Sequence, residues 1–347
     1  MKNYIILLTL CVLTFFSCKK DSPIETTSTS AFSASSTSGV YTSNEGLFNN
    51  GNGSVSYYSG SGTESIKDVY QQVNNTQLGD VVQSLAKVNN KLYIVVNNSS
   101  KIEVVDITTM KKTATISGLT SPRYLLPINA SKAYVTDLFS GSVSIVDLNT
   151  NSVTGHISLN GSTEQLIMYN GKVYVTNMST SYLYVINPTT DNVSDSILIG
   201  TGGNSIVMDK NNKLWVLCGG DYNLNITSSL HRVDPVSQID EFGVDFPAAT
   251  FINRLTINEA KDELYFLNYN LYRMNILDST LPGSEFIAAN GKNFYGLGFN
   301  NTLNQIYVSD GVDFQQAGRV YRYNESGTEL GSFGAGIIPG NFLFLGN

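Results

Sequence analysis

Charge and reactive side chains are scarce in this chain, and each shortage excludes something. Asp, Glu, Lys and Arg make up 14% of 347 residues, and there are two histidines, one tryptophan and three cysteines. With 21 basic against 28 acidic residues and a net charge of −7, no basic stripe is available to neutralise a phosphate backbone, so nucleic acid is not an expected partner. Cys11 and Cys18 lie in an N-terminal leader and Cys218 is left alone, so packing must hold the fold without disulfides. His156 and His231 fall inside strand-like stretches, where a histidine more often packs than binds a ligand. No HExxH, no CxxC and no glycine-rich phosphate loop opening a helix occurs. Asp310-Gly-Val-Asp313 alternates carboxylates but lacks the rest of a calcium loop. No catalytic group, metal or cofactor is therefore expected, and the chain reads as a non-enzyme.

Extended helical periodicity is missing as well. In its place stands a repeated short-strand unit, seen most clearly from Lys132 to Leu159. Ala133–Thr136 is an apolar run, Ser142–Val146 alternates, and Ser152–Leu159 is a third extended piece, with turns at Gly141 and Asp147–Thr150. Such a unit cannot bury its faces alone. Copies open at Val40, Leu92, Val173, Leu214, Leu264 and Ile306; the second aromatics, at Tyr41, Tyr93, Tyr134, Tyr174, Trp215, Tyr265 and Tyr307, are spaced 52, 41, 40, 41, 50 and 42 residues apart. That is the period of a propeller blade, roughly 40–45 residues, with insertions in two units. The fold expected is all-β: a seven-bladed β-propeller of four-stranded blades. The first copy lacks its inner strand, and the chain ends on the apolar run Ile337–Gly346 with nothing to follow it. That segment is expected to become the innermost strand of the first blade and so close the ring.

The ends suggest a compartment. Residues 1–17 read as a signal peptide, a short basic start and an apolar run too short to span a bilayer comfortably. Ser17-Cys18 resembles a lipobox, with Phe15 where Leu is usual, so Cys18 is expected to carry lipid; an ordinary cleaved signal is the alternative. Residues 18–38, rich in Ser and Thr, then form a flexible tether and 39–347 the propeller.

Aligning the repeats sorts the candidate site residues. Asn44, Asp137, Asn177, Asn268 and Asp310 lie three places behind the aromatic, at the start of the loop joining second and third strands. Turn chemistry explains them, or ligand contact does. Six of these seven loops carry an aromatic: Phe48, Phe139, Tyr182, Tyr222, Tyr269 and Phe314. Packing between blades is expected to claim about half, the rest forming an amphipathic rim. Arg123 and Arg254 both stand eleven residues before the aromatic, where the innermost strand starts at the channel mouth on that same face. Two arginines there either grip a phosphate or carboxylate, or pair with Asp80, Glu164 or Asp245.

The units KLYIVVNNSSKIEVVDITT and KAYVTDLFSGSVSIVDLNT resemble YncE-like seven-bladed propellers. Ser43-Asn-Glu-Gly46, Gly53–Tyr57, Gly318–Tyr323 and Gly336–Gly340 are similar to the BtuG family, surface lipoproteins of Bacteroidota that capture vitamin B12. The resemblance spans the mature chain. It implies a lipid-anchored protein of the outer membrane, exposed at the cell surface, that captures a nutrient such as a corrinoid for a TonB-dependent transporter. An adhesion or protein-interaction scaffold, and a propeller-type hydrolase or lyase, are the other readings.

Overall fold

The computed structural model describes residues 31–346 except 36, 248, 249 and 251. The leader, Cys18 and most of the tether lie outside the described residues.

Seven antiparallel sheets follow one another along the chain, and their innermost strands pack each on the next until the last meets the first. The second blade shows the pattern: Val82–Val88, Lys91–Val96, Lys101–Asp106 and Lys112–Ile116, from the axis outward. Its second strand is buried on both faces apart from its first residue, because blades cover it from either side. The ring closes as expected. Pro339–Phe344 is the innermost strand of the first blade and pairs with Val40–Asn44, placing Leu343 opposite Tyr41.

The repeated aromatic is what couples one blade to the next. All seven are essentially fully buried, and three phenols donate to the outer turn of the following blade. Tyr41 Oη donates to the Ile107 carbonyl at 2.6 Å, Tyr174 Oη to that of Pro235 at 2.8 Å, and Tyr134 Oη to the Asp191 carboxylate. A large apolar body with one polar tip suits a wedge that must also satisfy a hydrogen bond. Burial pushes the Tyr174 phenol up to about 12, so it stays a donor. On the same side of the ring, Asp106 and Asp147 cap the turns between third and outer strands by accepting backbone N–H groups two and three residues on, and Asn187 does so with the N–H two residues on.

Three findings depart from the sequence reading. The sixth blade has three strands, Asn253–Ile257, Glu263–Asn268 and Asn270–Asn275, not four. A single bridge between Leu271 and Ile287 stands where the outer strand would be, with Leu271 N donating to Ile287 O at 3.0 Å and Ile287 N to Leu271 O at 3.1 Å. A short helix, Val69–Asn74, capped by the Asp68 carboxylate, fills the long interval between the first two aromatics. The packed body also begins before residue 39: Phe32 meets Tyr57 edge-on at 5.0 Å, Ala34 is buried, and Ser35 N donates to Tyr57 Oη at 2.5 Å.

Candidate functional site

The loops that follow the second strands are bonded to the segments that precede the innermost strands, so both sets share one face. Asp137 Oδ2 accepts from the N–H groups of Thr120 and Ser121, and Asn97 Nδ2 donates to the Pro122 carbonyl. Turn chemistry accounts for three of the five Asn and Asp residues that start these loops. Asp137 also receives the N–H groups of Phe139 and Ser140 on its other oxygen. Asn177 Oδ1 accepts from Ser179, Asp310 Oδ1 from Asn293 and Val312, and Asn44 Oδ1 from Gly336. Asp137, Asn177 and Asp310 are loop caps, as Asp313 is toward Gln315 and Gln316, whereas Asn44 bonds the strand Glu329–Ile337 of the seventh blade. Asn268 is the exception: its Oδ1 is buried and accepts nothing.

All six loop aromatics are exposed, from Phe314 at 37% to Tyr222 at 89%. The expectation that packing claims half of them is corrected. The blades are already wedged by the buried Tyr and Trp of the second strands, and the loop aromatics stay at the surface. Tyr182 opens a third strand rather than sitting in the loop, and Tyr269 is the single residue between two strands. Phe314 keeps one contact inward, meeting Tyr295 edge-on at 5.7 Å.

Within this rim the channel mouth holds a cavity of about 230 Å³, lined by Glu45, Phe48, Gln83, Arg123, Arg254 and Tyr295 among others. Thus Phe48, Arg123 and Arg254 converge, whereas Asp137, Asn177 and Asp310 serve their own loops. Glu45, Gln83 and Tyr295 went unnoticed in the sequence. Only Glu45, inside the Ser43–Gly46 motif, carried a signal.

The two arginines occupy one repeat position and have different surroundings. Arg123 is fully engaged: Nε and Nη2 donate to the two oxygens of Glu164 at 2.6 and 2.7 Å, and Nη1 to Gln83 Oε1 at 2.5 Å. It therefore ties the third blade to the second and fourth, and of the three acids considered it has taken Glu164. Arg254 is held loosely. Nη1 reaches Tyr124 Oη at 3.3 Å, Nε reaches the Tyr295 carbonyl at 3.4 Å, and the nearest carboxylate oxygen, from Glu45, is 3.8 Å from Nη2. Its guanidinium lies over the Tyr295 ring at 5.2 Å. Burial works against its charge, but the surrounding phenols and the Glu45 and Glu164 carboxylates more than offset this, and its pKa is raised. Arg254 is thus a permanent cation whose ion pair, to Glu45, is long.

Gln83 adds an unmatched group. Because Arg123 can only donate, the oxygen of the Gln83 amide must face it. The amide nitrogen then points elsewhere, buried and without an acceptor. The backbone here is also strained: Val81, Arg254 and Ile338, all lining the cavity, have φ of 58°, 57° and 53°. Left-handed φ is costly for β-branched residues, and such strain gathers at functional sites.

A ring of seven antiparallel sheets with a polar mouth and a rim of exposed aromatics defines the protein as a β-propeller with one distinctive face. Residues 38–333 match the model of the family described as a domain of unknown function (DUF5074), and the chain belongs to that family. None of the curated proteins compared matches it. Among solved structures it is similar to a quinonprotein alcohol dehydrogenase-like protein from Bacteroides thetaiotaomicron, with 16% identity over 89% of this chain and 78% of that one and a TM-score of 0.69. It is also similar to a functionally unknown protein from Desulfotomaculum acetoxidans, at 11% identity, coverage of 89% and 99%, and a TM-score of 0.65. Hydrazine synthase of Kuenenia stuttgartiensis shares the fold more distantly, at 13% identity, coverage of 69% and 75%, and a TM-score of 0.55. Such low identities speak to fold alone.

Proposed function

We propose that this propeller is a non-enzymatic capture protein that binds a nutrient on its aromatic-rimmed face, with a polar group of the ligand seated in the channel mouth. The observation that carries the reading is a buried donor without an acceptor, Gln83 Nε2, beside Arg254, whose ion pair to Glu45 is long, on a face that bears six exposed aromatics. Both donors call for an acceptor: a phosphate, a carboxylate or an amide carbonyl. The mouth, at about 230 Å³, is smaller than the roughly 300–1,000 Å³ of a drug-sized pocket. It suits one group of a larger ligand whose body lies flat on Phe48, Phe139, Tyr182, Tyr222, Tyr269 and Phe314.

A corrinoid meets this description, having a broad apolar ring, peripheral amides and a phosphate, and it agrees with the similarity to the BtuG family. In this reading lipid on Cys18 holds the protein to the outer membrane at the cell surface, where it passes ligand to a TonB-dependent transporter. Titrating cobalamin into the purified protein by calorimetry tests the proposal. Saturable binding that weakens about tenfold or more in Arg254→Ala is expected. Absence of heat at micromolar protein would remove the corrinoid. Capture of an envelope protein that is lost in Phe139→Ala with Tyr222→Ala would favour the scaffold reading instead.

A further inference from the structure

A wide cleft lies away from the channel mouth, between the fifth and sixth blades. It measures about 630 Å³ and is walled by Phe246, Phe266, Tyr272 and Leu281, with Asp245 and Asn268 as polar members. It lies beside the three-stranded sixth blade, whose third strand contributes Tyr272. Phe246 meets Phe266 edge-on at 5.4 Å, and Phe266 stacks on Tyr272 at 5.6 Å, which gives a continuous aromatic wall.

The polar lining has one character. Asp245 supplies an exposed carboxylate at the end of strand Ile239–Asp245. Asn268 supplies the one loop-start oxygen, among the five aligned Asn and Asp residues, that caps nothing. Its four counterparts accept backbone N–H groups, but here the loop is the single residue Tyr269, and Asn268 pairs directly with Asn270. Among the described residues, no basic side chain lines the cleft. Aromatic faces, a carboxylate and an amide oxygen without a donor all favour a positively charged donor on an apolar body.

We infer that this cleft is a second binding site, distinct from the channel mouth, for a small organic ammonium ion with an aromatic or alkyl body. The ammonium is placed toward Asp245 and Asn268 and the body against the aromatic wall.

The test uses 2-phenylethylammonium as probe, with 2-phenylethanol and phenylacetate as its neutral and anionic isosteres, followed by calorimetry and by chemical-shift mapping on the full chain. The ammonium is expected to bind once, with the alcohol at least about tenfold weaker and phenylacetate not at all. Asp245→Asn, at an exposed position, should cost the ammonium about tenfold and leave the alcohol unchanged. Gly283→Trp should abolish binding of both; a Cβ at Gly283 meets nothing within 4 Å, so the indole can enter the cleft without distorting the backbone. Equal affinity for ammonium and alcohol, undiminished binding in Gly283→Trp, or no ammonium binding at millimolar concentration would each overturn the inference. Cobalamin affinity that is unchanged in Gly283→Trp keeps this outcome separate from that of the channel mouth.

Discussion

The third and sixth blades began from one repeat and have come to differ at each position that matters. In the third blade the innermost strand carries Arg123, locked onto Glu164, and the second strand ends on Asp137, whose oxygens accept four backbone N–H groups. In the sixth the equivalents are Arg254, with no carboxylate oxygen closer than 3.8 Å, and Asn268, whose oxygen accepts nothing. One blade uses its polar groups to build the ring; the other leaves the same groups available and also lacks its outer strand. Where a repeat protein leaves one copy unsatisfied, that copy is the place to look for binding, because a buried polar group without a partner costs about 1–3 kcal/mol.

Substitution can break or sharpen this contrast. The largest effect is expected for Arg123→Ala, which strands the buried Glu164 carboxylate: a loss of about 3–5 kcal/mol in unfolding free energy, read as a lower urea midpoint. Asp137→Ala comes next. It orphans four N–H groups and should cost roughly 2 kcal/mol, with amide exchange accelerated at Thr120, Ser121, Phe139 and Ser140. Asn268→Ala, by contrast, removes a buried acceptor that pairs with nothing, and should raise stability by about 1 kcal/mol.

The smallest effect is expected from acid. The Lys213 ammonium and the N–H of Val236 hold the Asp234 carboxyl near about 2, and the Thr109 N–H and hydroxyl lower that of Asp106. A carboxyl depressed in the folded state stabilises it above the unfolded pKa, and that stability disappears as pH falls through the folded pKa. The outer turn of the fifth blade should therefore loosen between about pH 4 and pH 2, and that of the second as pH falls below about 4. Exchange rates in those turns across this range check the point.

The ring was legible because its determinants repeat. A fully buried aromatic every forty or so residues and an apolar final strand without partners leave closure as the one arrangement that hides every face. The missing outer strand was not legible. Tyr265 and Tyr307 are separated by an ordinary 42 residues, so the segment with Pro282 and Gly283 takes up the length of a strand without forming one. The arginines could be placed at the mouth but not told apart, since the outcome depends on what the neighbouring blades present. The fourth blade offers Glu164 beside Arg123, whereas the seventh offers Tyr295 beside Arg254. Exposure of the rim was underestimated for a related reason. The blades were already wedged by the second-strand aromatics, a matter of packing that the loop sequences do not record.

The central claim is that Arg254, unlike Arg123, is not needed to hold the ring and is therefore available to a ligand. Urea unfolding of Arg123→Ala and Arg254→Ala side by side tests it without any ligand. A loss of about 1 kcal/mol or less for Arg254→Ala, against several for Arg123→Ala, is the predicted result. Equal losses would make both arginines structural and leave the channel mouth with no free cation.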